Sequence, residues 1–229
     1  MLADLVQALD ERNLRATFFC THAGINVPGH ERALHPNFRR DGDALREALA
    51  AGRTLPSDVD AYRHVLQTSK SHCPEARGVR AHSLHYDTQL VALYGAVGLQ
   101  YDSTYCLTLV PGLRPFWKEY DVLEIPVYYM DHLDLLAPRT DFDLHRLGLD
   151  LPGLKVFDFH PNIVYVNAPT ADFYAATKCI YHDPEPLRAG RHSGRGVRTL
   201  FLELLDYIAA HDVLTATLAQ VNEYWRGHA

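Results

Sequence analysis

Apolar positions Leu2, Leu5, Val6 and Leu9 recur at helical spacing, which predicts an amphipathic helix over 2–12. Its polar exit, Glu11-Arg-Asn13, runs into the apolar segment 15–20, read as a short buried strand that ends at Thr21-His22. The stretch His30 to Phe38 then delivers histidines on a loop. Residues 41–52 and 57–69 read as helices, the second capped by Ser57 with Asp60 in its first turn. A strand over 78–84, a helix over 87–96 and a strand over 99–107 follow. After a Pro/Gly-rich loop at 110–117 come strands at 122–129 and 155–160, the last stopped by Pro161. A loop at 180–196, a helix at 197–210 and a helix-like segment at 214–226 close the chain. Strands alternate with helices and no linker or compositional break intervenes, so residues 1–229 are expected to form a single α/β domain. A helix feeding a strand at the very start also implies a strand before it, so the chain is expected to be N-terminally incomplete.

Composition narrows the class. A hydrophobic share of 47% with 22% charged residues is that of a globular protein with an ample core. A net charge of −6 argues against nucleic acid as a partner. Four cysteines without a C-x-x-C pair give neither a zinc ribbon nor a disulfide framework, and Cys20 and Cys106 read as buried free thiols. With no apolar run of about 18 residues, no membrane span is expected and the location is read as cytoplasmic. Fourteen histidines are the compositional outlier. Imidazole is the commonest metal ligand and a ready acid or base near neutral pH, which raises the case for a metallo-hydrolase.

Chemistry gathers where strands end. His22, Arg80 with His82, Asp102 and His160 each follow an apolar strand. In parallel α/β folds the carboxyl ends of the strands form the ligand-facing rim. Four strands thus converge on one edge, and together they make an active site a better reading than four separate structural residues. Trp117, in a Pro/Gly loop, is a candidate for stacking on a sugar ring, as is Phe116; core packing explains Tyr128 and Tyr129 equally well.

These residues carry a resemblance. Leu14-Arg-Ala-Thr-Phe-Phe19 is similar to the second strand of the polysaccharide deacetylases of NodB homology. Gly29-His-Glu-Arg-Ala-Leu-His35 resembles that family's approach to its metal-binding histidine. Gly98-Leu-Gln-Tyr-Asp-Ser103 and Phe157-Asp-Phe-His160-Pro161 resemble two later segments. His35-Pro-Asn-Phe38, Gly78-Val-Arg-Ala-His-Ser83 and Pro111-Gly-Leu-Arg-Pro-Phe116 look closest to its WbmS-like, O-antigen-associated branch.

The resemblance implies a deformed (β/α) barrel lacking its first strand, and removal of an N-acetyl group from an acetamido sugar or polysaccharide. A divalent metal, zinc first among the choices, is the implied cofactor. His35 matches a ligand position, but Arg39 stands where a second histidine is usual, so His82, or else His22, is expected to supply it. His160 is the implied catalytic acid, Arg80 the residue that orients the catalytic base, and Asp102 and Trp117 the substrate contacts. The family's paired aspartates lie in a strand that this sequence does not show before Met1. Asp4 and Asp10, on the first helix, are expected to face solvent. Two alternatives stand beside the deacetylase: another C–N metallo-hydrolase, and a truncated relative that binds sugar without turnover.

Overall fold

Thr17–Cys20, rich in the aromatic and β-branched side chains that suit a pleated surface, forms β1. Beside it, parallel, lies β2 (Glu31–Leu34), with Thr17 opposite Glu31 and Cys20 opposite Leu34. β3 (Gly78–Val79), β4 (Tyr101–Asp102) and β6 (Leu123–Glu124) continue the parallel sheet; β5 (Phe116–Trp117) closes it as an antiparallel edge. The order is β1-β2-β3-β4-β6-β5. The structure is a computed structural model that describes residues 1–137 and 141–228.

The chain divides into two compact units. The sheet unit comprises residues 15–106, 114–126 and Ala216 onward. Against its sheet stand α2 (Asp43–Ala50), α3 (Asp58–His72), α4 (Thr88–Ala96) and α10 (Leu218–His228). Its core joins Leu34 and Val79 from the strands to Val65, Leu66, Leu90 and Tyr94 from the helices. Fully burying each such side chain is worth roughly 1.5–3 kcal/mol, which offsets the poor pairing of two-residue strands. Ser57 caps α3, accepting the Asp60 N–H at 3.2 Å, as its sequence position implies.

The second unit comprises residues 1–14, 107–113 and 127–215. It holds α1 (Leu2–Asp10), a two-stranded parallel sheet of β7 (Tyr129–Met130) and β8 (Phe157–Asp158), and five helices: α5 (Asp131–Leu136), α6 (Pro161–Val166), α7 (Ala171–Thr177), α8 (Pro184–Ala189) and α9 (Val197–Ala210). α1 buries Leu5, Ala8 and Leu9. Asp4 does not simply face solvent: it pairs with Arg198 and Arg191. Tyr128 and Tyr129 belong to the core, each about 1% exposed.

The α/β class follows from this architecture, and several boundaries differ from the sequence reading for identifiable reasons. β2 occupies part of the expected histidine loop, because Ala33 and Leu34 pair with β1 and are wholly buried despite charged neighbours. The expected strand at 122–129 is split by Pro126, which cannot donate to a ladder. β8 ends at Asp158, short of the expected 160, and Pro161 opens α6, where its missing N–H costs nothing. Phe116 and Trp117 form an edge strand rather than a loop, and α8 lies inside the expected loop at 180–196. Cys106 is only partly buried; Cys20 is buried as expected.

One close approach constrains the sheet. A Cβ on Gly78 would fall 1.8 Å from the ring of Tyr101, which is fully buried and donates its hydroxyl to Glu31 at 2.6 Å. Gly78→Ala should therefore cost about 3 kcal/mol, the upper end of ordinary overpacking. Urea denaturation reads this directly, and an unchanged midpoint would refute the packing of Tyr101 over β3.

Candidate active site

At the carboxyl ends of β2 and β3 the backbone pairing runs on past the strands. The Arg80 N–H donates to the Leu34 carbonyl at 2.9 Å, and the His82 N–H donates to the Pro36 carbonyl at 2.9 Å. This ladder carries His82 to the side of His35. Their rings meet edge to face with centroids 5.4 Å apart, and His35 Nε2 lies 3.3 Å from His82 Nδ1. Directly after His82 the chain turns sharply. Ser83 and Leu84 both take left-handed φ, 57° and 53°, which non-glycine residues seldom adopt. Strain of that kind, about 1–3 kcal/mol per residue, is tolerated where the surrounding structure over-determines it. The expected strand over 78–84 is thus shorter: β3 covers Gly78–Val79, the pairing continues to His82, and the turn at Ser83 and Leu84 stops it there.

Arg80 is buried beside this pair in sequence. Its Nε donates to the Ser103 carbonyl and its Nη2 to the Ser103 hydroxyl, both at 2.8 Å, and its guanidinium lies 4.2 Å from the Phe19 ring centroid. It ties the end of β3 to β4 and β1. Asp102, 2% exposed, accepts from the Thr104 hydroxyl at 2.5 Å and from Lys118 Nζ at 2.8 Å. Lys118 also reaches Glu124 at 2.5 Å, and Glu124 takes backbone N–H groups from Thr104 and Tyr105. Burial first, then the charge of Asp102, pushes the Glu124 carboxyl up to about 7. The two carboxylates in turn raise Lys118 against its own burial.

Two expected residues stand apart from this group. His22 is exposed on the turn after β1, its Nδ1 2.9 Å from the hydroxyl of Thr21. Trp117 is 40% exposed, but the Arg226 guanidinium lies over its ring at 4.8 Å. His30, whose ring accepts the Ala16 N–H at 3.2 Å, helps fix the register of β1 and β2.

In the second unit, His160 follows β8. Asp131, fully buried at the start of α5, accepts its backbone N–H at 2.7 Å and lies 2.6 Å from its Nδ1. Burial drives the Asp131 carboxyl up, while His160 opposes that shift. An ionised carboxylate can only accept, so the Nδ1–H tautomer of His160 is the one that satisfies both groups. His132, one residue after Asp131, has its ring 6.0 Å from that of His160. Burial first, and then the charge of His160, lowers its pKa.

A family model described as "WbmS-like: Polysaccharide deacetylase" matches residues 1–178. The chain belongs to this family. Among solved structures, it is similar to a protein of Bordetella bronchiseptica described as a polysaccharide deacetylase involved in O-antigen biosynthesis. The TM-score is 0.74 at 25% identity, over 90% of this chain and 84% of that one. A Mycobacterium smegmatis protein described as a polysaccharide deacetylase shares the fold, with a TM-score of 0.54 at 20% identity over 99% and 77% of the two chains. No protein of curated function matches the chain.

WbmS-like deacetylases as a family imply a divalent cation, and the His35–His82 pair can be tested against one. Two nitrogen ligands at about 2.0–2.1 Å on a tetrahedral ion lie about 3.3–3.4 Å apart, the separation these imidazoles show. The pair thus fits two coordination positions. Among the described residues no group of three His, Cys, Asp or Glu forms around it, and His22 is not brought to it.

For a WbmS-like protein, the sequence reading missed Asp131, Lys118 and Glu124. Asp131 had a local signal: it is the first polar residue after the apolar run Val127 to Met130, the same strand-end position that picked out the other candidates. Lys118 and Glu124 had none: the β4–β6 pairing sets Glu124 opposite Asp102, and the β5–β6 pairing brings the chain at Lys118 beside them.

Proposed function

We propose that this chain removes the N-acetyl group from an acetamido sugar of a surface polysaccharide of O-antigen type. The observation that carries this reading is the His35–His82 pair, set at two adjacent strand ends in a chain of this family. The net reaction adds water across the amide: the C–N bond breaks, acetate leaves with the water's oxygen, and the sugar nitrogen departs as an amine. That nitrogen is a poor leaving group until protonated, so a positioned acid is worth about 10²–10⁴ in rate. His160 Nε2–H is assigned that proton, with Asp131 holding the ring and stabilising the imidazolium.

His35 and His82 would hold the divalent cation, zinc being the first choice for a pair of imidazoles. When bound, it supplies Lewis acidity toward a carbonyl oxygen and makes water more acidic. Arg80 positions the rim by fixing Ser103, and Asp102 acts through Thr104 and Lys118. No disulfide joins any of the four cysteines, which suits the cytoplasmic location we assign. Among the described residues, no helix is long and apolar enough to cross a membrane.

Two measurements test this. His35→Ala and His82→Ala should each weaken zinc binding by at least about 100-fold, since even outer-shell partners are worth 10–100-fold. Calorimetric titration with zinc reads that without reference to turnover. Acetate release should be seen from N-acetylated oligosaccharides and not from simple amides. Activity on the amides alone would overturn the sugar assignment, and undiminished zinc binding in both variants would overturn the ligand assignment.

A further inference from the structure

Three aromatic side chains follow one another along the rim of the sheet unit. Tyr86 comes four residues after His82, Tyr105 three residues after Asp102, and Phe116 lies on β5 opposite Glu124. The Tyr86 and Tyr105 ring centroids are 5.1 Å apart at 39°, and those of Tyr105 and Phe116 are 6.1 Å apart at 16°. The Tyr105 and Phe116 rings are nearly parallel and the Tyr86 ring is tilted against Tyr105, so the three form one contiguous aromatic row. Tyr86 and Phe116 leave 45% and 41% of their area exposed.

The platform carries no charged side chain of its own. The Lys118 ammonium sits 4.4 Å from the Tyr105 ring centroid and 5.3 Å from that of Tyr86, but Asp102 and Glu124 already neutralise it. Burial, with Tyr86 next, pushes the Tyr105 hydroxyl up to about 12, so it remains a donor across the physiological range. Trp117 is the adjacent residue on the two-residue strand and so faces the other way, toward Arg226. Rigid aromatic faces edged with neutral hydroxyls suit the flat apolar faces of uncharged pyranose rings better than phosphates or uronates.

Length decides what such a surface can hold. From β2, which His35 directly follows, to β5, which carries Phe116, there are four inter-strand spacings, about 19 Å, and from β3, which leads to His82, there are three, about 14 Å. A single sugar at the histidine pair cannot reach Phe116, whereas a chain of several sugars can. We propose that Tyr86, Tyr105 and Phe116 form a distal subsite for neutral sugar residues of a glycan chain, with the acetamido sugar at the His35–His82 end of the same rim. The subsite rests on the deacetylase reading above and extends it from one sugar to an oligosaccharide.

Linear β-1,4 oligomers of N-acetylglucosamine, from one to five residues, serve as probes in calorimetric binding and acetate-release assays on the full chain. In the parent protein, affinity should rise with chain length. Phe116→Ala and Tyr86→Ala should each weaken the longest oligomer by about tenfold and leave the monomer unchanged. Phe116→Leu keeps the apolar bulk but lacks the ring, and should lose as much; Phe116→Tyr should retain the parent affinity. Thermal melts followed by circular dichroism establish that the variants are folded. Affinity independent of length in the parent, or equal affinity in parent and variants, would overturn the subsite and leave the deacetylase reading standing. Absence of both binding and acetate release with every oligomer would overturn the two together.

Discussion

Lys118→Met should destabilise the sheet unit by about 3–5 kcal/mol, because it leaves two buried carboxylates without their cation. Asp102 and Glu124 are 2% and 0% exposed, and Lys118 Nζ is the cation that bridges them. Glu124 fixes the pH dependence. Its folded pKa is raised from an ordinary 4.5 to about 7 by burial and then by Asp102. Between those values the folded state holds more protons than the unfolded chain, so stability falls as pH rises through that window. The contribution is fully present below about 4.5 and lost as pH passes about 7. Removing the cation raises the folded pKa further, so Lys118→Met should be hurt most at pH 8 and least at pH 5. Urea denaturation across that range checks the sign. Adding Glu124→Gln to Lys118→Met should recover part of the loss by removing one buried charge. A cost under about 1 kcal/mol, flat with pH, would show that the three groups are not held together as described.

How much of this was legible in the sequence depends on the range of the interaction. Helices with a clear apolar stripe or a cap, such as Asp58–His72 with Ser57 and Val197–Ala210, are set by neighbours three and four residues apart and were readable. Two-residue strands such as Gly78–Val79 and Leu123–Glu124 have no periodicity to read; they exist because the adjacent strands pair with them. The site divides in the same way. His82 and His160 announced themselves by residue type at strand ends and His35 by its resemblance to a family motif, and the structure brings His35 and His82 to 3.3 Å. Trp117 was singled out by its loop, yet the strand it joins turns it toward Arg226 and leaves Phe116 to meet Tyr105. Lys118 is buried only through the long-range pairing of β5 with β6. Asp131 was open to the same strand-end rule, as the first polar residue after Val127 to Met130, although its partner His160 lies 29 residues on.

Asp131→Asn should lower kcat for acetate release by about 10²–10⁴, with KM little changed. The wild-type carboxylate offers two acceptor oxygens to two donors on one residue, the His160 backbone N–H at 2.7 Å and the ring Nδ1 at 2.6 Å. An asparagine has one acceptor oxygen. If it serves the backbone N–H, its amide points N–H groups at Nδ1 and forces the proton onto Nε2 in the neutral ring. If it serves Nδ1, the buried backbone donor faces another donor. Either way the imidazolium loses the negative charge that stabilised it, and the His160 pKa falls. A general acid must be protonated to act, so the alkaline limb of the kcat profile should move to lower pH in Asp131→Asn. The imidazole resonances of His160 in a proton NMR titration should move in the same direction. A loss of activity with an unshifted profile would mean that Asp131 serves only to hold the segment at His160. His160→Gln should remove the alkaline limb altogether, whereas a retained limb would mean that another group supplies the proton.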